Sequence, residues 1–304
     1  MKYSITGRVR AVPRSVEITS EQFKAVKDAK TSLMNALFME EKLNYVVENY
    51  CEMERELFTV GLNDILFSDQ DWSRLMSELH AISRRIVNLL SSCRLYLDQI
   101  VRNVHTIYGR GSAQAEALVR KKSEERDSVF GYRVMGALRN HVQHCGLPLH
   151  CLGVGGTLVD GEPGSAVRHT VTAWLSVAAL EGNTGFDKAV LSELRDKGED
   201  IDLKPLIREY VASIGRVHLT IRGFLEDGIA RWEATLTGAM AKLGEGVGGE
   251  VAYCSGEARD ECGKLVERVG VFDDFMRRRR ELVRKNQHLA HCARHFVTGE
   301  VDDA

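Results

Sequence analysis

Between Trp72 and Tyr108, apolar side chains return every three or four residues: Leu75, Leu79, Ile82, Ile86, Leu89, Cys93, Leu97, Ile100 and Val104. One apolar face of that length predicts a long amphipathic helix. Gly109 and Gly111 break it, and Ser112 is placed to cap the next helix. That second helix is expected from about Ala113 to Cys145. Its stripe near the end is Phe130, Val134, Ala137, Leu138, Val142 and Cys145, until Gly146 and Pro148 stop it. Joined by a four-residue turn, the two helices predict an antiparallel hairpin.

Upstream, YSITGRVRAV and SVEIT are rich in β-branched residues and split by Pro13, which suggests a short strand pair. Ser20 is a plausible N-cap for the helical stretch that follows, clearest over Ser32–Thr59. After Pro148 the period changes to two. LHCLGVGGTLV and AVRHTVTAWLSVAAL flank DGEPGS, the pattern of a β-hairpin. Helical periodicity resumes at Phe186–Arg195 and strongly over Pro205–Leu243. GEGVGGE then breaks the chain, EVAYCS suggests a short strand, and a last helix is expected from about Phe272 to His295. There is no internal repeat. The expected fold is mainly α: an antiparallel helical bundle with a β-hairpin insertion and short N-terminal strands. A single domain over 1–304 would comprise strands and helix (1–60), helical hairpin (72–148), β-hairpin (149–180) and C-terminal helices (186–300).

The 304 residues are 44% hydrophobic and 28% charged, ordinary values for a globular chain. No run approaches the ~20 apolar residues of a membrane-spanning helix. MKYSITGRVRAVPR has no apolar core of signal-peptide type, so the expected address is the cytoplasm, away from membranes. A formal net charge of −2 marks no general polyanion binder, although local patches can still bind RNA. Seven cysteines without a CxxC pair argue against a disulfide framework, and Cys93 reads as a small core residue.

The densest chemistry lies in RNHVQHCGLPLHC, Arg139 to Cys151. Zinc needs thiolates and imidazoles converging from paired clusters. His144, Cys145, His150 and Cys151, with His291, Cys292 and His295, have that composition but not the spacing. Adjacent helical residues such as His144 and Cys145 point about 100° apart. Only His291 and His295 share a helix face, without a metalloprotease glutamate. No metal and no cofactor are expected. The glycines of GVGGTLVDG are followed by strand pattern and lack GK[ST], so they are no phosphate loop; kinase, nucleophile-elbow and dinucleotide signatures are absent too.

Arg139-Asn140-x-x-x-His144 remains, R-N-x3-H near the end of a long helix. Here the sequence resembles the HEPN superfamily, helical proteins with an R-x4–6-H motif, often with Asn directly after the Arg. The resemblance covers about Trp72 to Pro148. Many members are metal-independent endoribonucleases of toxin–antitoxin, abortive-infection and phage-defence systems. It implies an RNA substrate, a homodimer whose two motifs line one cleft, and an antitoxin or defence-system partner. A non-catalytic, HEPN-like nucleotide- or protein-binding module is the alternative. Arg284-x6-His291 also fits the loose spacing but lacks the Asn.

The residue types suit the reaction. RNA supplies its own nucleophile, the 2′-hydroxyl. Histidine exchanges protons near neutral pH, so His144 can move the proton. Arg139 offers a fork matching phosphate oxygens, and Asn140 can orient phosphate or imidazole. Asn140 and His144 share a face at i and i+4, whereas Arg139 must reach in from the flank. His141, His169 and His218 fall on apolar or strand faces and read as structural. The run Arg277, Arg278, Arg279 and Arg280, with Arg284, is a candidate RNA contact, although Asp273 and Asp274 stand ready to neutralise it.

Overall fold

The start of helix α1 (Ser20–Phe67) is set by Thr19, not by Ser20. Gln22 N–H donates to Thr19 Oγ1 at 3.2 Å, and Thr19 N–H donates to Gln22 Oε1 at 3.1 Å. This reciprocal capping box satisfies two groups that a helix start would otherwise leave open. These positions come from a computed structural model that describes residues 1–10, 12–67, 71–159, 161, 165–246, 251 and 253–294. The chain is mainly helical, with small antiparallel sheets.

Helix α2 (Trp72–Tyr108) buries the stripe from Leu79 to Val104, each residue at most 6% exposed. Ser112 Oγ accepts from Ala115 N–H at 3.2 Å and opens α3 (Ala113–Ser128). The expected helix to Cys145 is interrupted. Val129 adopts φ −112° and ψ 114°, and a separate helix, α4 (Phe130–His144), follows. The guanidinium of Arg133 explains the break, because it donates to the last-turn carbonyls of Arg126 and Asp127 and grips Glu193.

The β-hairpin expected after Pro148 is present as β3 (Cys151–Leu158) and β4 (Val167–Ser176), antiparallel. Its predicted tail VAAL is instead α5 (Val177–Glu181), followed by α6 (Lys188–Arg195), β5 (Asp200–Asp202) and α7 (Leu203–Gly244). β1 (Lys2–Val9) and β2 (Val12–Ile18) form the N-terminal pair, and Pro13 sits on the edge strand where no ladder donor is needed. Near the other end come β6 (Tyr253–Arg259), β7 (Leu265–Phe272) and α8 (Asp274–Lys285), then a 3-10 turn over Leu289–Arg294. The last helix is therefore shorter than its periodicity suggested: Phe272 ends a strand, and Asn286 stops α8. His295 lies outside the described residues.

Two compact units emerge. The first comprises Met1–Lys42, Gln99–Leu118 and Thr220–Gln287. Its sheet runs β2-β1-β6-β7, so the two ends of the chain pair directly, Thr6 opposite Ser255. Tyr3, Ile5 and Val9 face a core with Phe23, Val26, Leu33, Leu243, Val271 and Phe275. Gly7 permits close approach, since a Cβ there would meet Leu243 Cδ2 at 2.6 Å. The second unit comprises Leu43–Asp98, Val119–Leu219 and His288–Ala304. Ile82, Ile86, Leu89, Cys93, Val134, Leu138, Ile207, Val211 and Ile214 are buried there, and its sheet runs β3-β4-β5. Among the described residues no helix is long and apolar enough to cross a membrane.

Candidate functional site

Helix α4 is fixed at both ends within the second unit. At its start Glu209 Oε2 accepts from Gly131 N–H at 2.9 Å, a carboxylate at the positive pole of the helix. Gly131 lets α7 come close: a Cβ there would lie 2.5 Å from the Leu206 carbonyl oxygen. Arg133 pairs with Glu193 of α6 at 2.6 Å. Val134, Met135, Ala137, Leu138 and His141 form the buried face. With those positions inward, Asn140 and His144 are exposed and Arg139 is half-buried at the flank.

Arg139 Nη1 donates to Asn140 Oδ1 at 3.2 Å, so motif neighbours touch directly. Its Nε is buried and, among the described residues, has no hydrogen-bond partner. No carboxylate of the described residues pairs with Arg139 either, while its positive charge reaches buried Tyr210 on α7. A guanidinium partly removed from water and lacking an acid is a strong acceptor-seeking group. One helical turn further on, His144 projects its imidazole into solvent at the C-terminal end of α4.

The neighbouring histidines are occupied. His141 is 5% exposed, and burial lowers its pKa. Asn183 Oδ1 accepts from Gly185 N–H, which leaves the Asn183 amide to donate to His141 Nδ1 at 2.9 Å. Phe186 meets the same ring edge-on. His150 Nδ1 accepts from Ser176 N–H at 3.2 Å; burial, then the charge of His141, lowers its pKa. His218 is 2% exposed and bonded to Tyr96 Oη at 2.8 Å. His169 lies 3.0 Å from Asp64. Among the described residues no group of three or more His, Cys, Asp or Glu could hold a metal ion.

The basic run lies on α8, in the first unit. Arg277 pairs with Asp274, Arg278 with Glu281, Arg279 with Glu233 and Arg280 with Asp273. Arg284 is exposed. The candidate residues therefore fall into two sets, one in each unit.

Sequence reasoning missed two concavities. In the second unit a cavity of about 820 Å³ is lined by Tyr50, Glu54, Phe58, His169, Lys204 and Arg208. Arg208 grips Glu54 at 2.7 and 2.8 Å there, so its charge is already matched. In the first unit one of about 800 Å³ lies on the open face of the sheet. Its residues come from strands far apart in sequence, each carrying a single arginine, so no one stretch of sequence signals it. No family model matches the chain, and no match was found among curated proteins or solved structures.

Proposed function

We propose that the protein is a cytoplasmic, metal-independent endoribonuclease of the HEPN kind, acting as a toxin or phage-defence effector. In this reading the α2–α3–α4 segment is a HEPN-like helical hairpin within an antiparallel bundle. The single observation that carries it is Arg139: a half-buried guanidinium without an acid partner among the described residues, bonded to Asn140, a turn before exposed His144.

The chemistry runs as follows. The RNA 2′-oxygen attacks the adjacent phosphorus and its proton passes to an imidazole. The bond from phosphorus to the 5′-oxygen breaks, and that oxygen takes a proton from an imidazolium. The products are a 2′,3′-cyclic phosphate and a 5′-hydroxyl. Arg139 stabilises the charge gathering on the non-bridging phosphate oxygens, and Asn140 holds the guanidinium in place. One motif offers one exposed imidazole. A homodimer with two motifs facing one cleft supplies both an acid and a base.

The test is RNA cleavage in EDTA by wild type and by His144→Ala, with product ends identified. Cleavage that persists in EDTA, leaves cyclic phosphates and disappears in the variant at unchanged dimer content supports the reading. Cleavage abolished by EDTA, or retained by His144→Ala, overturns it. Exposure of Asn140 and His144 also suits a second reading, a non-catalytic module that uses the motif as a nucleotide- or protein-binding contact. Failure to cut any RNA, with RNA or a partner protein still retained through Arg139, would favour that one.

A further inference from the structure

Helices and core lie on one face of the sheet β2-β1-β6-β7; its other face carries the alternate residues. By register these are Lys2, Thr6 and Arg8 on β1, with Tyr253, Ser255, Glu257 and Arg259 on β6 and Arg268 on β7. Of these, Thr6, Arg8, Tyr253, Glu257, Arg259 and Arg268 line the concavity of about 800 Å³.

Its charges are arranged for an anion. Glu257 is 6% exposed and sits beneath two arginines. Arg259 Nη2 donates to it at 2.7 Å, and Arg268 Nε lies 3.6 Å away while donating to Ser255 Oγ at 3.1 Å. The buried carboxylate thus fixes both forks. The terminal nitrogens of Arg268 make no hydrogen bond among the described residues, and exposed Arg8 has no acid partner among them. Around the concavity Arg8, Arg259 and Arg268 outnumber the one buried acid, while elsewhere on the same face Lys2 offsets exposed Glu17, so the concavity is positive. Arg14 does not belong to this set, because it donates to the Leu243 and Glu245 carbonyls at the end of α7.

We propose that this open sheet face binds single-stranded RNA, the arginines on phosphates and Tyr253 as a stacking platform for a base. Lys2 pairs with Arg259, so Arg8, six residues along β1, lies about 20 Å further down the strands, the reach of several nucleotides rather than of one phosphate. Tyr253 is 47% exposed, and its ring is held by stacking on Phe272 at 6.3 Å. Aromatic platforms beside a cationic groove are what sequence-tolerant single-strand binding requires. Exposed Ser15, which also lines the concavity, adds a hydroxyl donor for phosphate oxygens.

The inference does not depend on cleavage, and its test avoids cleavage. A fluorescent 2′-O-methyl RNA 20-mer lacks the nucleophile, so anisotropy with the full chain reads binding alone. With three phosphate contacts, affinity should fall roughly 20-fold between about 50 and 200 mM salt. Arg8→Glu should weaken binding roughly tenfold and flatten the salt slope, with Arg8→Gln intermediate. Tyr253→Ala should also weaken it roughly tenfold. Circular dichroism checks that each variant folds. Absence of binding overturns the proposal, as does binding indifferent to Arg8→Glu. If heparin competes equally and Tyr253→Ala changes nothing, the face is a general polyanion surface and the RNA assignment fails.

Discussion

Four consecutive arginines on α8 and the single Arg139 near the end of α4 put their charge to opposite uses. On α8, Asp273, Asp274, Glu281 and Glu233 each hold an arginine, so a dense basic run presents little unmatched charge. On α4, Arg139 bonds its neighbour's amide, and its buried Nε has no partner among the described residues. The number of cations in a stretch of sequence is thus a poor guide to the charge available to a ligand. What matters is how many carboxylates the fold brings within reach.

The sharpest way to break this contrast is to remove one arginine of each kind and measure RNA cleavage. Arg139→Ala should lower the rate roughly 100- to 1000-fold, the scale of losing one preorganised donor to a developing oxyanion. Arg278→Ala removes a half-exposed arginine 3.7 Å from Glu281 and should change the rate by less than about twofold. Equal effects would mean that α8 contributes as much functional charge as α4, and a larger loss from Arg278→Ala would move that charge to α8.

The second contrast concerns stability. Arg216 is the half-buried counterpart of the α8 pairs: its fork lies 2.6 and 3.0 Å from Glu125, which is 3% exposed, and Ser213 also holds it. Burial alone would raise the Glu125 pKa, but hydrogen bonds from Arg216, Lys121 and Ser213 outweigh it and hold the carboxyl below its ordinary range. Glu125→Gln should cost about 2 kcal/mol in urea unfolding, less than for a fully buried pair because Arg216 is 36% exposed. Glu281→Gln on α8 should cost under about 0.5 kcal/mol.

The same contrast shows which features were readable beforehand. The stripe of α2 was legible because a long helix repeats one local rule along a single face. The break at Val129 was not, since Val134, Leu138 and Val142 continue a helical period and the interruption depends on Arg133 reaching Glu193 sixty residues away. β7 was missed for a related reason. LVERVGVF alternates only weakly, and it is a strand because β6 pairs with it and with β1, some 250 residues distant in sequence. Arg139, Asn140 and His144 stood out as a spacing; that Arg139 has no acid partner among the described residues did not, because absence of a contact leaves no mark on a sequence. The sheet arginines were invisible as a group, as three strands far apart in sequence, β1, β6 and β7, assemble them.

The smallest expected effect separates His141 from His144, three residues apart on α4. His141 is held neutral: burial lowers its pKa, and its Nδ1 accepts from Asn183. A lowered folded-state pKa means that the unfolded chain binds the proton more readily. Stability from this residue is therefore complete above the ordinary histidine pKa, near 6.5, and is lost as pH falls below it toward the folded value. His150 adds a loss of the same sign, again because burial disfavours its charged form. Urea midpoints between about pH 7.5 and 5 should decline in wild type and decline less in His141→Gln. His144→Gln, at an exposed position, should follow the wild-type curve. If His144→Gln flattened the curve instead, the exposed imidazole would be a structural group, and its assignment to proton transfer would lose its footing.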